Sequence, residues 1–431
     1  MHFLFRIEIV IRRGKQHPTY AEFLVKHNDK RRDLTSLSKI ALDVNGEGAI
    51  LIGQDNGIDY TNGSVKTIKI HLVAAARPNF MKVAPLFHAL KKELWVDPVI
   101  VHTGQHYDLN MSDVFFRDLS LPEPHVHLGV GSGSHAEQTG QVMIAYEKVL
   151  RKSMPDLVVV VGDVNSTAAC TLTAVKLGAP VAHLEAGLRS FDRKMPEEIN
   201  RLVTDALAGI LWTPSRDGDE NLLREGVPKS KIHRVGNIMI DSLEMLREKI
   251  QAENSSRDFG LESGKFAVVT LHRPSNVDVP KKLKELCETL VAISKIIPLV
   301  FPVHPRTKKN IEKAGLNGDL SAGRHLLLVE PLSYRRFMNL VFHCRLAVTD
   351  SGGIQEETTY LGIPCLTLRA NTERPITVTS GTNQLCETKD LFHRVESILS
   401  SPQKSSPKIE LWDGHTAARI VQDLKDQFNI V

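Results

Sequence analysis

The sequence predicts an α/β protein built from two parallel-sheet domains with the active site in the cleft between them. Three observations carry that expectation. From Val65 onward, short apolar runs alternate with amphipathic stretches, the strand–helix–strand signature of a parallel sheet. Several runs are near-continuous in Val, Ile and Leu, as in Leu157-Val-Val-Val-Val161, which suits strands covered by helices on both faces. Charged and small residues follow many of these runs directly, at the carboxyl ends of the strands, where such folds bind ligands.

In chain order the runs are Thr67–Ala74, Pro98–Thr103, Asp156–Val161, Pro180–His183, Ile210–Thr213, Lys231–Val235, Phe266–Leu271, Leu299–Val303, His325–Val329, Leu346–Thr349 and Pro364–Leu368. That is more than one compact doubly wound sheet usually holds, so the reading divides them into two Rossmann-like domains. Residues 65–236 form the first and residues 237–414 the second, with a hinge at Gly236-Asn237. The amphipathic stretch Ala417–Phe428, within residues 415–431, reads as a terminal helix that crosses back to the first domain. Residues 1–64 show no clear period, and Gly46-Glu-Gly-Ala, Asn56-Gly and Asn62-Gly-Ser read as loop, so this segment is expected to lie outside the fold.

Bulk properties exclude several classes. A formal net charge of +4 over 431 residues, with no Lys/Arg block interleaved with aromatics, gives no nucleic-acid footprint. Five cysteines are widely spaced with no C-x-x-C, which argues for reduced thiols in a cytoplasmic protein and against a disulfide framework or a metal site. No apolar run approaches the ~18 residues that span a bilayer. Arg6 and Glu8 break the apolar N-terminus, so it makes a poor secretory segment. No G-x-G-x-x-G follows a strand, so a dinucleotide cofactor is not indicated.

The chemistry-bearing residues follow the strands in turn. After the first strand, Ala74-Ala-Ala-Arg-Pro-Asn-Phe-Met-Lys82 offers small residues for a tight turn, with Arg77 and Lys82 as cations near a helix start, where an anion is favoured. Gly162-Asp163 follows the third; Asp163 reads either as a helix cap or as a catalytic acid, and the other charges at this edge favour the second. His183-Leu-Glu-Ala-Gly-Leu-Arg-Ser190 and Met195-Pro-Glu-Glu-Ile-Asn-Arg201 bring Glu185 and Glu197 together with Arg189 and Arg201 around a glycine turn. Glu185, leaving a buried strand, is expected to have a raised pKa. Glu197 is favoured for function, although a surface ion pair with Arg201 explains it too; Glu198 reads as an ordinary helix-start acid. In the second domain, His272 and Arg273 end a strand, and His272 can bond a phosphate and donate a proton, whereas His304 reads as structural. Ser351-Gly352-Gly353 opens a helix and can cradle a pyrophosphate. Glu357 can accept from ribose hydroxyls, Arg374 can reach the same ligand, and Phe337 or Tyr334 can flank a base.

These motifs in this order resemble the non-hydrolysing UDP-N-acetylglucosamine 2-epimerase family, from Ala-Ala-Arg-Pro at Ala75 to Thr-Glu-Arg-Pro at Pro375. The resemblance implies a GT-B-like fold, a homodimer, no redox cofactor and no metal. It also implies elimination of UDP from UDP-GlcNAc to a 2-acetamidoglucal, and re-addition after protonation on the other face of C2. On this likeness Asp163, Glu185 and Glu197 are the acid/base candidates, His272 assists the departing diphosphate, and Arg77, Lys82 and Arg201 stabilise anionic groups. Ser351, Gly352, Gly353, Glu357 and Arg374 hold UDP, with Arg273 beside them and Phe337 near the uracil. Gln105 and His106 match a regulatory loop. The chain departs from many members in reading Ala75-Ala-Arg-Pro-Asn79 where they have Gly-Thr-Arg-Pro-Glu, and in the residues after His106. Members start near the equivalent of Lys66, so Val65 is the expected natural start. A modified UDP-sugar such as UDP-2,3-diacetamido-glucuronic acid, a hydrolysing reaction and a non-catalytic UDP-sugar sensor are the alternatives.

Overall fold

The computed structural model describes three strands within residues 20–51 together with residues 67–104, 116, 118–321, 323, 325–402 and 406–430. The chain divides into two units, Met1–Val65 and Lys66–Val431. In the first, β1 (Tyr20–Leu24), β2 (Lys39–Asp43) and β3 (Ala49–Leu51) pair antiparallel in that order.

The second unit contains two parallel sheets. One has seven strands: β4 (Ile68–Ala74), β5 (Val96–His102), β6 (Val126–His127), β7 (Leu157–Val161), β8 (Val181–Leu184), β9 (Ile210–Thr213) and β10 (Ile232–Arg234), in spatial order β10-β9-β8-β7-β4-β5-β6. The other has six: β11 (Ala267–Thr270), β12 (Leu299–Pro302), β13 (Leu326–Val329), β14 (Leu346–Thr349), β15 (Cys365–Thr367) and β16 (Asn383–Leu385), in order β13-β12-β11-β14-β15-β16. Both orders run outward from a first strand in one direction and then reverse, which is the Rossmann pattern. The reversal falls between β4 and β7 in one sheet and between β11 and β14 in the other, and a crevice opens above each such point.

The strands sit within about two residues of the expected apolar runs, as boundaries set by hydrogen bonding usually do. Besides β1–β3, two strands of the parallel sheets have no counterpart among the expected runs. β6 and β16 are the outermost members of their sheets, two and three residues long, and too short to show a period.

Alternation explains the long apolar runs. Ile70, Leu72 and Ala74 of β4 point into one hydrophobic cluster and Val73 into another; Leu157, Val159 and Val161 of β7 join the first, and Val158 and Val160 the second. Every residue of β7 is buried, as a sheet covered on both faces requires. The first cluster runs on through Ile238, Met239 and Leu243 to Val268 and Ala347, so helix Ile238–Gln251 ties the two sheets together. This helix begins at Asn237, whose side chain accepts from the Met239 amide at 2.9 Å. Ser242 of the same helix donates to the carbonyl of Met81, on helix Arg77–Leu90.

The terminal helix Thr416–Gln427 lies against the first sheet's elements. Its N-terminal amides, Thr416 and Ala417, are capped by Asp241 at 3.0 and 2.8 Å. Its Asp423 accepts from the indole of Trp212 at 2.7 Å, and Lys425 pairs with Glu93 at 2.9 Å. No helix among the described residues is long and apolar enough to cross a membrane.

Candidate active site

Three turns at the carboxyl edge of the first sheet bring the carboxylates together. β8 ends at Leu184, and Glu185 then adopts a positive φ of 79°, a conformation that costs a non-glycine residue roughly 1–3 kcal/mol. Contacts on both carboxylate oxygens hold it there. Lys82 pairs with one oxygen, and Arg374, which follows the second sheet's β15, donates to the other at 2.9 Å. The turn closes at Gly187, where φ is 80° and an added Cβ would run into the Gly218 backbone carbonyl. The expectation of a raised pKa for Glu185 is corrected. Burial pushes it up, but the charges of Lys82 and Arg374 outweigh burial and hold it below the usual carboxylate range.

After β7, Asp163 pairs with Arg201 and keeps 30% of its side chain exposed. Arg201 is 2% exposed and also bonds Glu198 at 2.8 Å. Glu198 is therefore not an ordinary helix-start acid: it is 1% exposed and accepts from the Ser190 amide, the Ser190 hydroxyl and the Phe191 amide, each at 3.0 Å. Burial raises its pKa, but these bonds and Arg201 hold it low. Arg201 thus takes Glu198 and Asp163 as partners instead of Glu197, which is half-buried on the cleft wall, near enough to Arg273 to act on its charge. Arg189, expected beside Glu185, turns away to Asp205 and Glu225, both at 2.7 Å.

The second sheet supplies the opposite wall. Asp350, fully buried at the end of β14, accepts from the amides of His272 and Arg273 at 3.0 and 2.9 Å and from Asn276 at 3.1 Å. Its other oxygen lies 3.1 Å from Nδ1 of His272, which leaves Nε2 of this part-exposed ring for a ligand. His304 caps its own helix by accepting from the Arg306 amide at 3.2 Å, and its ring centroid is 5.5 Å from that of His272.

Ser351, Gly352 and Gly353 open helix Gly352–Leu361 directly after β14, and the Ser351 side chain makes no capping bond. A Cβ at Gly352 would come 2.7 Å from Nη1 of Arg374 and 2.9 Å from Oε1 of Glu373, so a larger residue there would displace the ends of both side chains. Arg374 is 8% exposed and pairs with Glu185, Glu356 and Glu373 at once, and Arg369 holds the other oxygen of Glu373 at 2.6 Å. Glu356 also accepts from Asn237 at 2.9 Å, so the residue that opens helix Ile238–Gln251 joins this network. Burial pushes Glu356 up to about 7 despite Arg374.

Glu357 is buried and accepts from the Tyr334 hydroxyl at 2.6 Å. Phe337, on the same helix as Tyr334, packs against the hydrophobic cluster. Sequence reasoning missed Glu356, Glu373 and Asp205 as site partners; the only available signal was their position beside Glu357, beside Arg374, and on the helix of Glu197. The side chain of Arg77 and the residues Gln105 and His106 lie outside the described residues. Among the described residues no group of three or more His, Cys, Asp or Glu is placed to hold a metal ion.

Between the walls lies a cleft of about 870 Å³, lined from the first half by Asp192, Met195 and Glu197 and from the second by Arg273, Asn276 and Asn371. Glu197 of one half and Arg273 of the other share this cleft, Glu185 is joined to the second half through Arg374, and Asp163 and His272 keep exposed side-chain surface in neighbouring strand-end turns. This arrangement suits proton transfer beside the departure of an anionic group.

One consequence is measurable without substrate. Burial raises Glu357 from 4.5 to about 7. The folded protein therefore binds an extra proton between about pH 4.5 and 7, and its stability falls as pH rises through that window. Glu357→Gln removes this penalty and is expected to stabilise the ligand-free protein at neutral pH by on the order of 3 kcal/mol. Thermal unfolding of both proteins across the window checks it; parallel curves would count against the raised value.

Comparison with known proteins gives a consistent set of relatives. A family model described as UDP-N-acetylglucosamine 2-epimerase matches residues 88–425. A UDP-N-acetylglucosamine 2-epimerase of Methanocaldococcus jannaschii is 42% identical over 364 residues, covering 83% of this chain and 99% of that protein. A UDP-2,3-diacetamido-2,3-dideoxy-D-glucuronate 2-epimerase of Pseudomonas aeruginosa is 40% identical over 322 residues, 74% of this chain and 88% of its own length. Among solved structures, the M. jannaschii UDP-GlcNAc 2-epimerase in complex with UDP-GlcNAc and UDP is similar with a TM-score of 0.76 at 41% identity, covering 83% of this chain and all of that one. The two facing Rossmann-like sheets are the GT-B-like arrangement of these structures.

Proposed function

The chain belongs to the UDP-N-acetylglucosamine 2-epimerase family, and we propose that it is an isomerase that interconverts UDP-GlcNAc and UDP-ManNAc by elimination and re-addition of UDP, for cell-surface polysaccharide synthesis. The observation that supports this reading is the meeting of strand-end turns from the two sheets: Arg374 of the second bonds Glu185 of the first, and Glu197 and Arg273 share one cleft, with Asp163, His272 and Ser351-Gly-Gly in neighbouring turns.

In the forward half-reaction a carboxylate removes the C2 proton of the sugar. The electron pair forms the C1–C2 double bond, and the C1–O bond breaks with UDP leaving as the anion. In the return half, UDP adds to C1 and a second acid delivers a proton to the other face of C2. Glu185, held ionised by Lys82 and Arg374, suits the base role; Asp163, 30% exposed, and Glu197, on the cleft wall, suit the second proton transfer. Nε2 of His272, oriented by Asp350, faces the departing diphosphate. The Ser351 hydroxyl, Gly352 and Gly353 receive it at the helix N-terminus, with Arg273 beside them. Glu357 takes the ribose. Arg374 steadies Glu185 and reaches the ligand only by giving up one of its carboxylates.

Incubation with UDP-GlcNAc in D2O is expected to place deuterium at C2 and yield UDP-ManNAc. Recovery of undeuterated substrate would refute the reading, and UDP released together with free sugar would move it to a hydrolysing reaction. A modified UDP-uronate as substrate has the support of the P. aeruginosa relative and of Lys194, Arg273 and Lys282 on the cleft wall, cations suited to a sugar carboxylate. A substrate panel separates the two. We place the protein in the cytoplasm on its dispersed cysteines. We read it as a homodimer, supported by the exposed Ile199 and Val203 one turn apart on the helix that carries Glu197.

A further inference from the structure

The three candidate proton-transfer carboxylates stand on three different elements: Asp163 in the turn after β7, Glu185 in the turn after β8, and Glu197 at the start of helix Pro196–Leu207. Catalysis requires a fixed geometry among them, yet they make no direct contact with one another in the hydrogen bonds and ion pairs above. A buried pair beneath the cleft joins all three elements. His183 in β8 is 0% exposed; its Nε2 lies 2.9 Å from the carbonyl oxygen of Gly162, the residue before Asp163. Its Nδ1 lies 2.5 Å from Oδ1 of Asp205, in the last turns of the helix that begins with Glu197. The other oxygen of Asp205 accepts from the Gly187 amide at 3.1 Å, which closes the turn of Glu185, and from Arg189 at 2.7 Å. Arg189 in turn grips Glu225.

Nε2 of His183 faces a carbonyl oxygen, which can only accept, so that nitrogen donates, and Nδ1 faces the Asp205 carboxylate. The charged groups around the ring are Asp205, its direct partner; Arg189, on the far side of Asp205; and Glu185, with Lys82 beyond it. Gly162 itself forms part of the floor of the site, since a Cβ there would come 3.0 Å from Nζ of Lys82 and 3.5 Å from Oε2 of Glu185. A shift of its carbonyl moves the main chain against which both groups rest.

We propose that His183, held between Asp205 and the Gly162 carbonyl, is a positioning residue that fixes Asp163, Glu185 and the helix of Glu197 relative to one another. The proposal rests on the epimerase reading and adds to it a residue pair that touches neither sugar nor nucleotide. UDP is held by the other sheet, so the pair acts on turnover and leaves nucleotide binding alone.

The test is kinetic, with His183→Gln and Asp205→Asn. Each is expected to lower kcat, and deuterium incorporation at C2, by about 10²-fold, the effect of misplacing reacting groups by about an ångström. KM and the UDP dissociation constant should stay at their wild-type values. A folded variant with wild-type kcat overturns the proposal, and so does a parallel loss of kcat and UDP affinity, which would report general damage. A second measurement needs no variant. Nitrogen-15 NMR of histidine-labelled wild-type protein should show the His183 Nε2 proton hydrogen-bonded and protected from exchange with solvent, and a rapidly exchanging or absent Nε2 proton overturns the proposal even if neither variant folds. The two readings fail differently. A wild-type protein that never exchanges the C2 proton sinks the epimerase reading, whereas an active wild type with unaffected variants sinks only the role of His183.

Discussion

Glu185→Gln is expected to lower epimerisation by about 10³-fold, within the range general acid–base catalysis contributes, while UDP affinity changes little. The amide is the same size as the carboxylate, so the turn at Gly187 keeps its shape. It cannot take a proton from C2, and it leaves the charges of Lys82 and Arg374 facing a neutral group. UDP is expected to bind at Ser351-Gly-Gly and His272, with the Arg374 side chain standing between the helix start and the substitution. Steady-state kinetics with C2 deuterium exchange, beside calorimetric titration of UDP, separate the two effects. Asp163→Asn is the natural companion. It weakens one of two carboxylate contacts of Arg201 and keeps Glu198 as the other, so folding should survive while turnover falls. Retained exchange in either variant, or loss of UDP binding as large as the loss of turnover, would move that residue from chemistry to structure.

The largest effect on stability is expected at Arg374. Its guanidinium is buried among Glu185, Glu356 and Glu373 and bridges the two sheets. Arg374→Ala leaves those carboxylates short of a partner, and removing one member of a buried ion cluster typically costs about 3–5 kcal/mol. Arg374→Lys keeps a charge but not the fork that reaches three acids, so it should fall in between. Protonation limits the damage. Glu356, already raised to about 7 with Arg374 in place, is expected to go neutral in Arg374→Ala, so the variant should lose less stability at acid pH than at neutral pH. Denaturant unfolding gives the free energies. The double variant Arg374→Ala with Glu185→Gln should lose less than the sum of the singles, because the second change removes one stranded charge. A loss below about 1 kcal/mol for Arg374→Ala, in the range of exposed ion pairs, would mean that the cluster opens to water.

Much of the architecture was legible because it rests on local pattern. Leu157-Val-Val-Val-Val161 can be little else than a strand buried on both faces, and Pro196 and Ser351-Gly-Gly mark helix starts by the backbone chemistry of single residues. The site was legible as far as which residues collect at the strand ends, for the same reason: Asp163, Glu185, His272 and Ser351 each stand within two residues of a strand's end. What could not be read was who pairs with whom. Arg189 and Arg201 are equally plausible partners for Glu185 in the sequence, yet neither bonds it; Lys82 and Arg374 do, from 103 and 189 residues away. Glu198 looked dispensable beside Glu197, and the helix turned it inward.

The sequence by itself therefore determined two doubly wound parallel sheets, the turns that carry charge, and the glycines that those turns require. These follow from apolar periodicity and from backbone conformations that a single residue type permits. Only the tertiary structure decided which acids are ionised, which cations are spent on them, and that Glu185 is held low where burial alone would raise it. Those outcomes depend on Coulomb terms between groups far apart in the chain and on their shared exclusion from water, and no local pattern encodes either.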